Sequence, residues 1–549
     1  MVKPLITALT ELQSHSTVHR AIRPTNLYWM DRKQTKLVLG DCTTVPPAFD
    51  QPVVCETIES GMALPEGRGP GYYPDDMYAL GVTLGIVALG RSPRRGVDPN
   101  TLVRDKVMSG SYPSLFAEER VPLQLIELVR GLTIDEEDDR WSLESIELWQ
   151  NGRRMPTAHT KQDRRSMRPF IFKDVEYAQT RQLAYAMSQD WEAAAVPIME
   201  EKVETWLRRG LELPELADAV ASQVKTAKAA MGGAKDPNQN RDVAICNVLS
   251  MLDPKAPVRF RDFRINPDAL GISLAVALAQ KKDVRPFVEV VLRDVMKIWI
   301  ASQEQHQAEY NQYSAELRDL KTYLGQATKG GGIERCLYEV NESLGCRSPL
   351  VRNEAVLEMS DLLPALERVA GKKIDRKIWP IDRHIAAFIV ARFPRDTMAQ
   401  IHSLNDRDPK RSALGMLGLL AVLQWKMGPE AVPGLASWIG GLMSPVIESY
   451  HSRERRRRLE KEVPKVVRKG NLPELYNLLD NGEERQSDHD EFAAAREEYR
   501  QAAQQIAALE SGNYTVSEAS QKLGQQTASS LSVAAAVITL VFVVLSTLV

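Results

Sequence analysis

The residues with the types and spacing of a reaction site lie near the start of the chain. They form two short segments, His19-Arg20-Ala21-Ile22-Arg23-Pro24-Thr25-Asn26-Leu27 and Leu39-Gly40-Asp41-Cys42-Thr43. Other patterns are absent from the sequence. The histidines form no H-E-x-x-H motif and there is no P-loop. The acidic run Asp135–Asp139 lacks the glycine and alternating oxygen ligands of a calcium loop.

The first segment resembles the catalytic loop of protein kinases, H-R-D-x-x-x-x-N. Four further segments resemble motifs of that family and follow in its order. They are Asp41-Cys42-Thr43 in place of D-F-G, Leu64-Pro65-Glu66 in place of A-P-E, the helix start Asp76–Gly81, and the arginine-bearing Asp139–Leu143. The resemblance covers residues 1–155. It implies a kinase-like C-terminal lobe, helical with short β-hairpins.

The departures from the family pattern bear on activity. In the family, the loop aspartate orients the substrate hydroxyl, while the loop asparagine and the D-F-G aspartate hold magnesium. Here Ala21 replaces the catalytic aspartate, and a methyl group accepts no proton. Asn26 and Asp41 match the metal-binding positions, so the resemblance makes them candidates for weak residual binding of ATP and Mg²⁺. The alternative is that both are ordinary turn residues.

The remaining matched residues imply a structural scaffold. By resemblance, Glu66 and Arg140 are expected to form a buried ion pair, and Asp76 is expected to anchor the backbone near His19 and Arg20. No catalytic residue is expected, and His19, Arg20 and Arg23 are retained as loop residues. No cofactor is required.

The sequence before the catalytic-loop segment contains no glycine-rich loop, strand lysine or helix glutamate, the parts that cover ATP in the family. Gly330-Gly331-Gly332 is not flanked by strands and is interpreted as a linker. Either this is a half-kinase, or Met1 lies inside a longer reading frame. The sequence leaves both alternatives open.

Composition sets outer bounds on the function. The chain has 549 residues and a net charge of -2, which gives no overall field favouring nucleic acid. Its five cysteines form no C-x-x-C pair, which favours a reducing compartment over a disulfide framework or zinc site. Leu27–Met30 and Lys36–Leu39 flank a polar turn and predict a hairpin.

From about residue 160 the apolar spacing is almost wholly helical. One weak repeat relates the segment from Pro169 through Trp206 to the segment from Pro257 through Trp299, with a poorer third copy near Leu419, Leu420 and Pro433. Stacked helical units would explain it, and chance similarity is the alternative. The predicted domains are 1–155, 156–330, 331–528 and 531–549.

Two C-terminal features concern membranes. Leu531–Val549 is an uncharged 19-residue run that at 1.5 Å per residue spans about 28 Å, close to the bilayer core. It predicts a single transmembrane anchor, with a buried core helix as the alternative. The basic run Arg453–Lys469 is a candidate contact for anionic lipid, although interleaved glutamates favour a solvated face. The polar helix Asp488–Gln521 is either a solvated stalk or a coiled-coil partner.

These observations favour a mainly α chain: a kinase-like C-lobe, a repeat-like helical region and a C-terminal anchor. The first hypothesis is a membrane-tethered, pseudokinase-like signalling scaffold that binds proteins at the cytoplasmic membrane face. The second is a Ser/Thr protein kinase whose N-lobe is missing from this chain. The third is a structural membrane protein with a vestigial kinase lobe.

Overall fold

The computed structural model describes residues 2–153, 164–232, 237–303, 308–372, 375–511 and 518–547. The chain is mainly helical, with 66% helix and 3% strand. It divides into two compact units, Met1–Leu357 with Ile381–Pro394 and Glu358–Pro380 with Arg395–Val549. The expected boundary between residues 155 and 156 lies outside the described residues. The other two expected boundaries do not coincide with this division.

The first unit begins with a helical part that contains one small hairpin. Its elements are α1 (Val2–Ser14), β1 (Leu27–Trp29), β2 (Leu37–Leu39), α2 (Ile58–Met62), α3 (Tyr73–Leu89), α4 (Pro99–Ser109), α5 (Ser111–Phe116), α6 (Leu123–Leu132) and α7 (Leu143–Gln150). Apolar residues of α1, α3 and α6, such as Leu5, Leu80 and Leu132, share one buried cluster. Helix α3 ends at Gly90, whose φ of 69° is left-handed and suits a residue without Cβ.

The predicted hairpin is confirmed. β1 pairs antiparallel with β2, with Leu27 opposite Leu39 and Trp29 opposite Leu37. Asp31 closes the turn by accepting the backbone N–H groups of Thr35 at 2.8 Å and Lys36 at 2.9 Å. The turn therefore places Asn26 and Gly40, which flank the two strands, side by side.

The rest of the first unit contains two further hairpins, each followed by helices. The first group is β3 (Phe170–Phe172), β4 (Val175–Tyr177), α8 (Thr180–Gln189), α9 (Trp191–Met199), α10 (Lys202–Arg209), α11 (Pro214–Met231) and α12 (Pro237–Leu252). The second group is β5 (Val258–Phe260), β6 (Phe263–Ile265), α13 (Leu270–Ala279), α14 (Arg285–Leu292), α15 (Val295–Ala301), α16 (Ala308–Leu324) and α17 (Gly332–Glu339).

The two segments that are similar in sequence share local contacts as well as element order. The indole N–H of Trp206 donates to the carbonyl of Arg168 at 3.0 Å. The indole of Trp299 donates to Ala256 at 2.8 Å. In both cases the acceptor precedes the proline that leads into the hairpin. The third segment, near Leu419, has no such hairpin, since every strand of the described chain ends by Ile265.

The remaining helices are numbered onward in chain order. They are α18 (Met359–Ala370), α19 (Arg383–Arg392), α20 (Pro394–Leu404), α21 (Pro409–Met427), α22 (Pro433–Gly440), α23 (Ser444–Glu448), α24 (Arg453–Lys469), α25 (Leu472–Leu479), α26 (Gly482–Glu510) and α27 (Glu518–Thr547). Helix α19 belongs to the first unit. In the second unit Gln424 of α21 donates to the Gly470 carbonyl at 2.9 Å and accepts the Leu472 N–H at 2.7 Å, which ties α24 and α25 to it.

Helix α27 is apolar along most of its length. Within Ser520–Thr547, an 18-residue window has a mean hydropathy of 2.4 and none of it is buried, so the helix is long and apolar enough to cross a membrane. Residues 548 and 549 of the expected span lie outside the described residues. Because none of the apolar window is buried, this helix is not a core helix of the described chain, which was the alternative.

Candidate functional site

The loop from His19 to Asn26 connects α1 to β1 and is held by buried polar contacts. His19 is 4% exposed. Its Nε2 lies 3.1 Å from the Gly40 carbonyl, and its Nδ1 accepts the Ala21 N–H at 3.2 Å. Burial lowers the pKa of His19. Its imidazole is therefore a neutral bridge between the loop and the end of β2.

Asp76, near the start of α3, anchors the same loop in the way expected from the sequence. Its carboxylate accepts the backbone N–H of His19 at 2.6 Å and that of Arg20 at 2.8 Å. Arg20 has a left-handed φ of 56°. Two charge-assisted bonds to consecutive N–H groups can hold a residue in this uncommon conformation.

The side chain of Arg20 forms the buried ion pair of this site. Its guanidinium lies 3.1 Å from Glu56 and 3.6 Å from Asp75, and it donates to the Ser60 hydroxyl at 2.8 Å. The side chains of Arg20 and Glu56 are 3% and 0% exposed. The neighbouring carboxylates hold the pKa of Arg20 above its usual range despite burial.

The expected ion pair between Glu66 and Arg140 is wrong. Arg140 donates to three backbone carbonyls, those of Ile134 at 2.8 Å, Pro74 at 3.0 Å and Asp135 at 3.0 Å. Glu66 instead lies 3.1 Å from Lys282, which follows α13. The carbonyls satisfy Arg140 locally, and the packing of the region after the β5–β6 hairpin brings a different cation to Glu66.

Ala21, the residue aligned with a catalytic aspartate by the sequence resemblance, is a buried alanine. Ala21 is 8% exposed, and its carbonyl accepts the Asn26 amide at 2.9 Å. The same amide donates to the Asp41 carbonyl at 2.9 Å. Both hydrogen bonds of the Asn26 amide therefore hold backbone carbonyls. Arg23, in the same loop, is half-buried.

The carboxylate of Asp41 faces the turn that follows it. It accepts the N–H and hydroxyl of Thr43 at 2.9 and 2.8 Å, and the N–H of Thr44 at 3.2 Å together with the Thr44 hydroxyl. These donors lower the pKa of Asp41 well below its usual value. Both carboxylate oxygens are therefore engaged.

The Tyr28 ring and the Asn26 side chain both lie against Gly40. A methyl group on Gly40 would lie 2.1 Å from Asn26 Oδ1 and 2.5 Å from Tyr28 Cε2, so Gly40 must lack a side chain here. In this arrangement the Asn26 amide holds two backbone carbonyls and the Asp41 carboxylate holds the following turn. Among the described residues, no group of three metal-ligating side chains occurs.

The segment from Leu64 to Gly71 lies along the β5–β6 hairpin, a contact that sequence reasoning missed. Leu64 N–H donates to the Arg264 carbonyl at 2.9 Å, and Asn266 N–H donates to Gly67 at 2.7 Å. Asp268 accepts the Gly71 N–H at 3.2 Å. The weak repeat in the sequence was the one signal that marked this hairpin.

An apolar groove lies between α1 and the start of α7. Its volume is about 260 Å³. Most of its walls are apolar or aromatic: Leu9, Leu12, Tyr73, Pro74, Met77, Trp141 and Leu143. Asp76 and Arg140 also border it, so the groove adjoins the scaffold contacts described above.

The comparisons with known proteins returned no relatives. No family model matches the chain. Neither the curated proteins nor the solved structures contain a match.

Proposed function

We propose that the chain is a membrane-tethered scaffold with a kinase-like C-lobe that does not transfer phosphate. The observation that carries the proposal is the buried Ala21 methyl group in a loop whose other matched residues all hold backbone or pair internally. The resemblance to kinases rests on the motif order in the sequence. The Asp76 anchor and the hairpin between Asn26 and Gly40 support it.

The retained polar residues support a structural role. Asn26 braces two carbonyls and Asp41 caps a turn. A nucleotide with Mg²⁺ would have to compete with these contacts. Weak ATP and Mg²⁺ binding at Asn26 and Asp41 is the alternative that the thermal test below addresses.

The tether is Ser520–Thr547. At 1.5 Å per residue this 28-residue helix reaches about 42 Å, more than the ~30 Å hydrocarbon core, so a tilted or partly emergent span fits. All five cysteines are free, which supports a reducing, cytoplasmic setting for the soluble part. Deleting residues 520–547 should release the chain from membranes, and retention would point instead to the basic helix α24 or to a partner.

Protein partners are the ligands proposed for the scaffold, and the groove between α1 and α7 is a candidate surface for them. Anionic lipid at Arg453–Lys469 is a weaker candidate. Arg455 and Arg458 of that helix pair with Glu491 and Glu484, which leaves less free charge for lipid. No nucleic-acid partner is proposed.

The decisive experiment is a thermal shift of the full chain in detergent with ATP and Mg²⁺. Binding adds RT ln(1 + [L]/Kd), so millimolar ATP at a Kd of about 10 µM would add about 2.7 kcal/mol. We expect no magnesium-dependent shift. A shift that disappears in Asp41→Ala would overturn the scaffold proposal and favour the second hypothesis, a Ser/Thr kinase completed by an N-lobe.

A phosphotransfer assay separates the remaining hypotheses. Wild type and Ala21→Asp are compared with a generic Ser/Thr substrate. General-base help is worth about 10²–10⁴-fold, so an activity that appears in Ala21→Asp would show a competent site lacking its base. If deleting residues 1–153 leaves partner binding and localisation intact, the third hypothesis, a vestigial lobe, is favoured.

A further inference from the structure

The C-terminal half of α26 extends away from its neighbours in the described chain. Near its start, Asp488 accepts the N–H groups of His451 at 2.7 Å and Ser452 at 2.9 Å. The Phe492 ring stacks on His451 with centroids 3.8 Å apart. Beyond this attachment every residue from Ala493 to Ala507 is exposed. The helix here has an unpartnered surface.

That surface carries an apolar stripe with the spacing of a coiled-coil seam. Six apolar residues follow one another at alternating steps of three and four: Phe492, Ala495, Tyr499, Ala502, Ile506 and Leu509. Tyr499, Ile506 and Leu509 are 78%, 56% and 61% exposed. A sustained 3.5-residue period keeps such a stripe facing a second helix along its whole length, with these residues at the a and d positions.

We propose that this stripe pairs with the same stripe of a second copy, as a parallel coiled coil. A self-complementary seam is what a two-fold homodimer requires. The parallel direction follows from the tether, because both copies lead from α26 into a helix inserted in the same membrane from the same side. In a parallel pair, Glu491 of one copy lies opposite Arg496 of the second.

The other flanking positions agree with this pairing. Glu498 would face Ala503 and Gln505 would face Glu510, so no two like charges meet across the seam. Glu491 already contacts Arg455 at 2.8 Å. It is 63% exposed, so it remains accessible to a second cation.

The membrane helix carries an independent stripe of the same period. Small, hydroxyl or amide residues alternate at steps of three and four, with one aromatic: Gln525, Ala528, Ser532, Ala535, Thr539, Phe542 and Ser546. Small and hydroxyl side chains let helices approach closely in lipid, where transmembrane pairs mostly cross at about 20°. Thr539 and Ser546 bond to carbonyls of their own helix, so their hydroxyl groups impose no cost in lipid.

The two stripes are expected to act together. The seam from Phe492 to Leu509 is marginal alone, because coiled-coil patterns are normally sustained over at least about three to four heptads and this one is shorter. Two copies anchored in one membrane are confined to the same surface, which raises their effective concentration above that in bulk solution. The dimer should therefore form in membranes and weaken once α27 is removed.

The test is disulfide crosslinking of the full chain in phospholipid vesicles. The background is Cys42→Ser, because the other four cysteines are buried. Ala495→Cys lies on the seam, and its neighbour Ala494→Cys is the matched control on the outer face. Disulfides need Cα atoms about 4.4–6.8 Å apart, and an in-register parallel seam brings position 495 of two copies close together.

We expect oxidation to produce a band of doubled mass with Ala495→Cys and none with Ala494→Cys. Ala502→Cys and Ala508→Cys form a second matched pair with the same expectation. Adding Ile506→Lys and Leu509→Lys to Ala495→Cys should abolish the band. Unchanged thermal melting and resistance to alkaline extraction would show that these variants are folded and inserted.

Three results would overturn the proposal. Equal crosslinking at 494 and 495 would indicate random collision. Failure to crosslink at both 495 and 502 in inserted, folded protein would mean that the stripe does not meet its own copy. Mixed Ala495→Cys and Ile506→Cys chains that crosslink with each other, while Ala495→Cys alone does not, would indicate an antiparallel pair.

Discussion

The carboxylate of Asp76 accepts the backbone N–H of Arg20 at 2.8 Å, across 56 residues of chain. One carboxylate thus fixes the conformation of a loop while the side chain of the same arginine reaches a different acid, Glu56. Burial raises the pKa of Asp76 to about 6. Burying the Asp76 carboxylate therefore costs desolvation free energy. Removing this anchor should change the stability of the fold measurably.

Asp76→Asn is expected to lower the free energy of unfolding by about 1–3 kcal/mol. The amide has an NH₂ group in place of one carboxylate oxygen, so one of the two backbone N–H groups loses its acceptor. Chemical denaturation followed by circular dichroism measures the change. Asp50→Asn, at an exposed aspartate, is the control and should be near neutral. Equal free energies of unfolding for the two variants would show that the Asp76 hydrogen bonds do not stabilise the fold.

Glu56→Gln is expected to destabilise by about 3 kcal/mol, since it removes the nearer and more deeply buried of the two carboxylates beside the buried Arg20 guanidinium. Glu66→Gln is the matched comparison. Its partner Lys282 is 52% exposed, and exposed pairs are worth about 0–1 kcal/mol. If Glu66→Gln proved the more damaging of the two, the assignment of the buried ion pair to Arg20 and Glu56 would be wrong.

Asp268 gives a pH-dependent prediction. Burial, with a smaller contribution from the nearby Asp75, raises its pKa to about 6 from 3.8, while the Gly71 N–H and Arg20 act in the opposite direction. The folded state therefore holds a proton that the unfolded state releases, so this contribution to stability is full below pH 3.8 and is lost as the pH rises through about 6.

Asp268→Asn should remove this loss. Melting temperatures of wild type and variant are measured from pH 4 to 7. We expect the melting temperature of the variant to increase relative to that of wild type as the pH rises. A difference between the two proteins that is constant across this range would contradict a raised pKa at Asp268.

Gly67→Ala is expected to separate the Leu64–Gly71 segment from the β5–β6 hairpin. An added methyl group would lie 2.5 Å from the Arg264 carbonyl, which is backbone and cannot turn aside. We expect faster hydrogen exchange and proteolysis across residues 64–71, with a destabilisation of about 1–3 kcal/mol as in other overpacked sites. Gly61→Ala is the control, because its methyl would meet Val103 at an ordinary 3.4 Å. Unchanged protection in Gly67→Ala would count against a tight contact.

Several local features could be read from the sequence because they depend on neighbouring residues. The polar turn between Leu27–Met30 and Lys36–Leu39 predicted the hairpin, and the uncharged run at the end of the chain predicted a helix long enough to span a membrane. The motif order also led to the contact between Asp76 and the His19–Arg20 backbone. In each case, local hydrogen bonding or the resemblance supplied the information.

The partners of long side chains could not be read in the same way. Glu66 and Arg140 were expected to pair, yet the carbonyls of Pro74, Ile134 and Asp135 surround Arg140 and Lys282 reaches Glu66. An arginine bonds whichever acceptors the packing places within about 3 Å, and spacing along the chain does not specify them.

The sequence by itself determined that the chain is mainly helical, that it ends in an apolar helix, and that Ala21 leaves the His19–Asn26 loop without a proton acceptor at that position. The tertiary structure decided what the remaining polar groups do. It turned Asp41 toward Thr43, covered Gly40 with Tyr28, and laid Leu64–Gly71 along the Arg264–Asp268 segment. Covalent order fixes which groups exist, whereas the folded packing fixes which of them meet.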